Sequence, residues 1–174
     1  MDKQDFDALC DRVLFKPLLE DGLFQRKGQS IFKIEDDILV SLIRLGGRNS
    51  SPGSISHVLC IKCLCMPNLN EKVTATYDSN VFSYPFKLKP MDLLEPEITI
   101  QYKPSNLRYD HECYSYHNKT SEEVETYLLN VLVALDVVRG WTHNLSHQMF
   151  IEQIETYGEQ AWIENLWLDS LKSQ

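Results

Sequence analysis

The chain has 174 residues, of which 43% are hydrophobic and 24% are charged, and its formal net charge at pH 7 is -8. This length and composition suit a single domain over residues 1–174 rather than a disordered chain. The negative charge is concentrated at one end, because residues 1–119 carry 16 acidic and 15 basic side chains whereas residues 120–174 carry 9 and 2. Such a surface repels phosphates and anionic lipids, which argues against nucleic acid and membranes and favours a basic partner.

The chain carries no recognisable export or anchoring signal. Its first residues, MDKQDFDALCDR, lack the basic stretch and apolar core of a secretory signal. The most apolar window, Leu128 to Val138, is too short to span a bilayer and contains Asn130 and Asp136. The five cysteines are then expected to be reduced thiols. Together these features predict a cytoplasmic protein.

A helix is predicted at the start of the chain, over Asp5–Gly22. From Phe6, apolar residues recur at i, i+3, i+4 and i+7, the pattern of a helix that faces a core. Pro17 lacks a backbone donor and should kink or restart the helix, and Gly22 should end it. The polar segment Gln25–Gly28 is predicted to be a connector.

An antiparallel sheet is predicted next. Ile31–Glu35 and Ile38–Leu45 are predicted to form a hairpin around an Asp36-Asp37 turn. Ser56–Met66, the longest apolar run outside the C-terminal helices, is predicted to be the buried central strand, and it contains three of the five cysteines.

Three later segments are further strand candidates. Val73–Tyr77 and Val81–Leu88 are the weaker ones, and Pro85 confines the second to the edge of a sheet or to another role. Glu97–Lys103 alternates with the two-residue period of a half-exposed antiparallel strand.

The last third of the chain predicts helices. Thr120 and Glu123 form a capping box for a helix that runs to Arg139, where Gly140 should end it. This helix is apolar enough to be buried around most of its circumference. Asn144 or Ser146 is expected to cap a second helix.

The second helix should reach Tyr157, and a third is predicted over Glu159–Leu171. The predicted fold is therefore α+β, with an N-terminal helix, an antiparallel sheet of about four to five strands and three C-terminal helices.

Cys60 and Cys63 match the spacing of a redox or metal motif. A redox pair needs a thiol at a helix N-terminus, whereas these two lie in a predicted strand and should point to opposite faces. Adding Cys113 and His117 supplies four nominal zinc ligands, but not the repeated close spacing of a structural zinc site. Buried structural thiols are the favoured interpretation, and a zinc-stabilised domain remains an alternative.

His143 and His147 are the first pair of histidines with the spacing of a possible site. They are four residues apart, but the Glu that a metalloprotease helix requires after the first His is absent, so helix-start or surface histidines are favoured.

Cys113 lies near His111 and His117 in a loop rich in tyrosine and histidine, which keeps a small hydrolase or transferase as an alternative. The same loop suits either a binding surface or a cover for the sheet, and the sequence leaves both open.

The acidic C-terminal helices supply the predicted binding site. Aromatic side chains among carboxylates are typical of a surface that docks a basic partner, while a solvated helix face is the alternative interpretation. The candidate partner-binding residues are Glu152, Glu155, Glu159, Trp162, Glu164, Trp167 and Asp169.

The segment Leu18 to Lys33 carries a Leu-Leu-x-x-Gly turn followed by Arg-Lys-Gly and an apolar residue with Phe. It resembles the start of a group of small bacterial domains of unknown function, in which a helix ends at a glycine turn and leads into an antiparallel sheet. Some small acidic domains of this kind are similar to immunity proteins of bacterial toxin systems. The resemblance implies a binding role and transfers no catalytic residues.

These observations predict a non-enzymatic, cytoplasmic protein-binding module. Its expected partner is a basic protein, and an immunity protein that occludes a basic toxin is the specific form of this hypothesis. The sequence assigns no catalytic residue, metal ligand or cofactor. It leaves the identity of the partner and the oligomeric state open.

Overall fold

The computed structural model of the protein describes residues 1–22, 24–46, 52–66, 80–94, 113–161 and 164–173. Within these ranges an N-terminal helical segment is followed by an antiparallel sheet and three C-terminal helices, which confirms the predicted α+β fold. The strand candidates Val73–Tyr77 and Glu97–Lys103 lie outside the described residues. None of the helices that are described is long and apolar enough to cross a lipid bilayer.

The N-terminal helical segment has three parts: α1 (Lys3–Leu9), a π-helical stretch (Cys10–Phe15) and α2 (Lys16–Glu20). Pro17 stands in the first turn of α2, as predicted for a restart. Proline is tolerated in the first turn of a helix, where its missing backbone N–H costs little. Gly22 ends the segment at φ +67, a left-handed conformation that glycine adopts without strain.

Five strands lie side by side in chain order, each antiparallel to its neighbours. They are β1 (Gln25–Lys27), β2 (Ser30–Glu35), β3 (Ile38–Leu45), β4 (Ser54–Cys63) and β5 (Phe86–Leu88). A sixth strand, β6 (Tyr114–Ser115), pairs with the first residues of β4. The prediction of a central strand is confirmed, because β4 pairs with β3, β5 and β6.

β1 corrects the prediction of a connector at Gln25–Gly28. Its three residues pair with β2, and Gly28 at φ +61 lies in the turn between the two strands. All three residues of β1 are exposed, so no apolar alternation marks the strand in the sequence. β1 forms instead through backbone hydrogen bonds to β2, and the composition of the segment does not indicate such pairing.

Backbone geometry confirms the predicted hairpin turn, and it confirms the predicted strand Val81–Leu88 only over its last three residues. Asp36 and Asp37 both have positive φ, 45 and 64, as the tight turns of β-hairpins require. Pro85 lies directly before β5, which is at the edge of the five-strand path, so its missing donor costs no central hydrogen bond. The residues before it, Val81–Ser83, form a short 3-10 helix rather than a strand.

Both faces of β4 are covered. Leu59, Ile61 and Cys63 belong to the main core beneath the helices, whereas Val58 and Cys60 belong to a second cluster on the other face. The predicted opposite orientation of Cys60 and Cys63 is therefore confirmed, because side chains alternate along a strand.

The helix α3 (Ser121–Thr142) begins with the predicted capping box. The Thr120 N–H donates to the Glu123 carboxylate at 2.8 Å, and the Glu123 N–H donates to the Thr120 hydroxyl at 3.2 Å. The predicted stop at Gly140 is wrong, because the helix continues through it to Thr142. Glycine lowers helix propensity, but tertiary packing of the preceding turns overrides that preference.

Replacing Thr120 with alanine is expected to lower the free energy of unfolding by about 1 kcal/mol, because the first turn loses a capping acceptor. Urea unfolding followed by circular dichroism measures this change. The matched control is Ser121→Ala, one residue further on, where a smaller effect is expected because Thr120 supplies the cap. Equal losses in the two variants would contradict the capping role.

The remaining helices are α4 (His147–Tyr157) and α5 (Asn165–Lys172). Ser146 caps α4 as predicted, with its hydroxyl accepting from the Met149 N–H at 3.3 Å. The predicted helix Glu159–Leu171 is divided in the structure, since its start is a 3-10 helix over Gly158–Ala161 and α5 begins only at Asn165.

Candidate functional site

The acidic set predicted on the C-terminal helices is divided by the fold into exposed and buried members. The side chains of Glu152, Glu155, Glu159 and Asp169 are exposed. Glu155 forms an ion pair with Lys172 at 2.7 Å, which joins α4 to α5. The other three contribute negative charge to the surface.

Trp167, the aromatic residue of the predicted site that the structure describes, is not available at this surface. Trp167 is only 2% exposed and belongs to the main core, and Glu164 is fully buried. Trp162 lies outside the described residues. The spacing of Trp167 and Leu171 on α5 places both against the core, whereas Leu166 is 68% exposed. Trp167 therefore points into the core, although acidic residues lie close to it in the sequence.

The outer face of α3 is apolar and exposed, which corrects the prediction that this helix is buried around most of its circumference. Leu129, Val133 and Val137 are 49%, 52% and 42% exposed. They recur every four residues and so form one stripe along the helix. Glu122 and Asp136, both exposed, fall on the same side of the helix at this spacing. We call these five residues the α3 stripe.

A cluster of three potential ligands lies where β4 ends and α4 begins. One ligand atom from each of Cys63, Cys65 and His147 lies within 4.8 Å of the others. The Cys65 thiol donates to the Cys63 sulfur at 3.2 Å. Cys63 is fully buried and the other two are half-buried, so the cluster is at the border between core and solvent.

The main chain sets the position of the two thiols. Cys63 is the last residue of β4, and the turn that follows brings Cys65 back beside it. The Leu64 N–H donates to the Asp37 carbonyl at 2.7 Å, which ties this turn to the β2–β3 turn. His147 is the first residue of α4 and is fixed by the Ser146 cap.

The thiol pair shares one proton. The hydrogen bond from the Cys65 thiol, with a smaller contribution from the charge of His147, lowers the pKa of Cys63 to about 6, although burial opposes this shift. The same hydrogen bond, together with burial, raises the pKa of Cys65. Near neutral pH the pair therefore carries one negative charge, on Cys63.

The sequence analysis considered Cys63 and His147 in separate candidate sites and did not single out Cys65. His147 was expected at a helix start, and that is where it lies. Cys60, which formed the apparent motif with Cys63, is on the opposite face. The usable signal was the spacing Cys63-x-Cys65, because alternate residues at the end of a strand share a face.

A cavity of about 540 Å³ lies between α3, β4 and the segment after β5. Its lining includes His57, Lys89, Cys113, Tyr114 and Tyr127. The Tyr114 and Tyr127 rings are stacked, with centroids 3.7 Å apart, and they form an aromatic wall. The cavity is of the size and composition that small-molecule sites have.

His57 is the buried polar group of this cavity, with 4% of its surface exposed. Its Nδ1 is 2.9 Å from the Tyr127 hydroxyl, while its Nε2 has no hydrogen-bond partner among the described residues. Burial, with a smaller contribution from the charge of Arg44, lowers the pKa of His57 to about 3. The imidazole is therefore neutral at physiological pH.

Cys113, the candidate nucleophile, is exposed at this cavity. His117 is exposed as well, and among the described residues no hydrogen bond joins it to Cys113. His111 lies outside the described residues. The hydrolase or transferase hypothesis thus gains a neighbouring cavity but no nucleophile–base pair in the described part of the chain.

Comparisons with family models, with curated proteins and with solved structures find no match to this chain. The candidate sites are therefore defined by geometry alone. They are the α3 stripe with the acidic residues of α4 and α5, the Cys63–Cys65–His147 cluster, and the cavity beside His57.

Proposed function

We propose that the protein is a non-enzymatic binding protein that docks a basic protein partner on the α3 stripe. The observation that carries this proposal is the exposure of Leu129, Val133 and Val137, each above 40%, on one face of a helix. Apolar side chains exposed in a row and flanked by charge are typical of docking surfaces. The stripe presents an apolar centre with carboxylates beside it.

The charge of the C-terminal third supports a basic partner. Residues 120–174 carry 9 acidic and 2 basic side chains. Two of those acids, Glu122 and Asp136, belong to the stripe, and Asp136 is held by Arg139 at 3.1 Å. A partner with an apolar ridge and basic residues at its rim matches this surface in both respects, and the wider negative field accelerates its approach.

An immunity protein that occludes a basic toxin is the specific form of the proposal. Occlusion needs affinity rather than chemistry, which agrees with a site built from apolar and acidic side chains. This form is tested by coexpressing the chain with a basic toxin encoded beside it. Protection of the cells by the wild type but not by Val133→Lys supports this form of the proposal. Equal protection by both proteins contradicts docking on the α3 stripe.

The general proposal is tested by affinity capture from the native host, followed by binding measurements with the purified partner. Val133→Lys is expected to weaken binding about tenfold or more, because it removes apolar contact and places a like charge against a basic surface. The matched control is Leu166→Lys on α5, where the replaced leucine is 68% exposed. Equal affinity of the wild type and Val133→Lys would overturn the proposal.

The exposed acids of α4 and of the 3-10 helix that follows it are tested separately, through kinetics. Reversal of Glu152 and Glu159 to lysine is expected to slow association and reduce its dependence on salt, with little change in dissociation. Glu164 is left unchanged, because it is fully buried and a lysine there would test folding rather than binding. An unchanged association rate would show that these acids do not steer the partner. It would not contradict docking on the α3 stripe.

A further inference from the structure

The cluster at the end of β4 has the composition of a soft-metal site. Two thiols and an imidazole are the ligands that zinc binds most often in proteins. All three donor atoms lie within 4.8 Å of one another. In a tetrahedral zinc site, with Zn–S bonds of about 2.3 Å, two sulfurs are about 3.8 Å apart. The observed 3.2 Å between Cys63 and Cys65 requires a shift of less than an ångström.

We propose that Cys63, Cys65 and His147 bind a zinc ion, with water as the fourth ligand. The metal joins the end of β4 to the start of α4, residues that are 84 positions apart from Cys63 to His147. Cysteine binds zinc as the thiolate, so binding releases the protons that the two thiols carry. This site is independent of the α3 stripe.

The types of donor atom favour a divalent cation. The two sulfurs lie 3.2 Å apart, and cysteines bind zinc as thiolates, so the cation offsets the negative charge that the two sulfurs then carry.

The fold also limits how far the ligands must move. Cys63 is held in β4 by pairing with Ile38 of β3, and His147 is held by the capped start of α4. Only Cys65 lies in a turn, so it is the ligand that adjusts. Preorganised ligands lose little conformational freedom on binding, which favours metal affinity.

The alternative chemistry of two adjacent thiols is a disulfide between Cys63 and Cys65. Its formation removes two electrons and two protons and therefore needs an oxidant, and it gives His147 no role. The two outcomes differ in that metal binding depends on His147 and a disulfide does not. They are separated by keeping a phosphine reductant in every solution.

The experiment uses the full chain, reduced and stripped of metal with a chelator. Cobalt(II) is titrated as a spectroscopic probe and then displaced with zinc. One equivalent of cobalt is expected to produce thiolate-to-metal charge-transfer absorption, which zinc removes. Cys65→Ser and His147→Gln, both at half-buried positions, are expected to weaken zinc binding more than tenfold.

Two matched variants complete the test. Cys113→Ser and His143→Gln change an exposed thiol and an exposed imidazole elsewhere, and they should bind zinc like the wild type. Circular dichroism of each metal-free variant shows whether it folds. The proposal is overturned if the wild type gives no charge-transfer band at one equivalent. It is also overturned if His147→Gln, folded, binds as the wild type does, or if the control variants lose affinity equally.

Discussion

Replacing Trp167 with alanine is expected to lower the free energy of unfolding by about 3–5 kcal/mol, because a large buried side chain leaves a cavity that the core fills only in part. Trp167 is 2% exposed and belongs to the main core, together with Phe86 and Phe150. The rings of those two phenylalanines meet edge to face, with centroids 5.1 Å apart. The loss therefore falls where α4 and α5 pack against the sheet.

The neighbouring residue provides the control for this measurement. Leu166→Ala is expected to change stability by less than about 0.5 kcal/mol, because Leu166 is 68% exposed. Urea unfolding at one pH gives both values. Similar losses in the two variants would contradict the orientation of α5, and with it the conclusion that Trp167 is no anchor for a partner.

A loss of about 2 kcal/mol in unfolding free energy is expected when the pH falls from 7 to 5, owing to His57 alone. Burial lowers the pKa of His57 to about 3 from the ordinary 6.5. As the pH falls below 6.5, the unfolded chain takes up a proton that the folded chain does not, so the unfolded state gains stability. The contribution of His57 to stability is complete above pH 6.5 and declines steadily towards pH 3.

The variant His57→Gln isolates this effect. Glutamine does not titrate, and its amide group offers the Tyr127 hydroxyl a polar partner in place of Nδ1. Between pH 7 and 5, the unfolding free energy of the variant should therefore fall by about 2 kcal/mol less than that of the wild type. His117→Gln, which makes the same substitution at an exposed position, is the control for the substitution itself. Equal slopes in all three proteins would show that folding does not lower the pKa of His57.

Periodicity predicted the fold because most elements bury one face. The β2–β3 hairpin, β4 and the capped start of α3 each carry a local signal: alternation, an apolar run, or a capping box. Elements without such a signal were missed. β1 is wholly exposed, and α3 continues through Gly140 because packing outweighs propensity.

The candidate sites were less predictable, because they depend on which distant residues meet. His147 lies beside Cys63 only after β4 and α4 have packed, and no local pattern indicates that contact. His57 was hidden within an apolar strand, where nothing in its neighbours marks a cavity. The apolar residues of α3 were predicted to be buried, yet an apolar composition does not tell a buried face from an exposed one.

The edges of the sheet bear on how this protein behaves at high concentration. Among the strands that the structure describes, β1 is outermost on one side of the sheet, and it has three exposed residues, two of which are Arg26 and Lys27. Unpaired strand edges recruit other chains, and short edges that carry cations resist such pairing. Arg26 is also held over the Phe15 ring, 4.3 Å from its centroid, and pairs with Asp11 at 2.7 Å. Its charge is thereby fixed beside the edge, where it opposes the growth of cross-β aggregates from this side of the sheet.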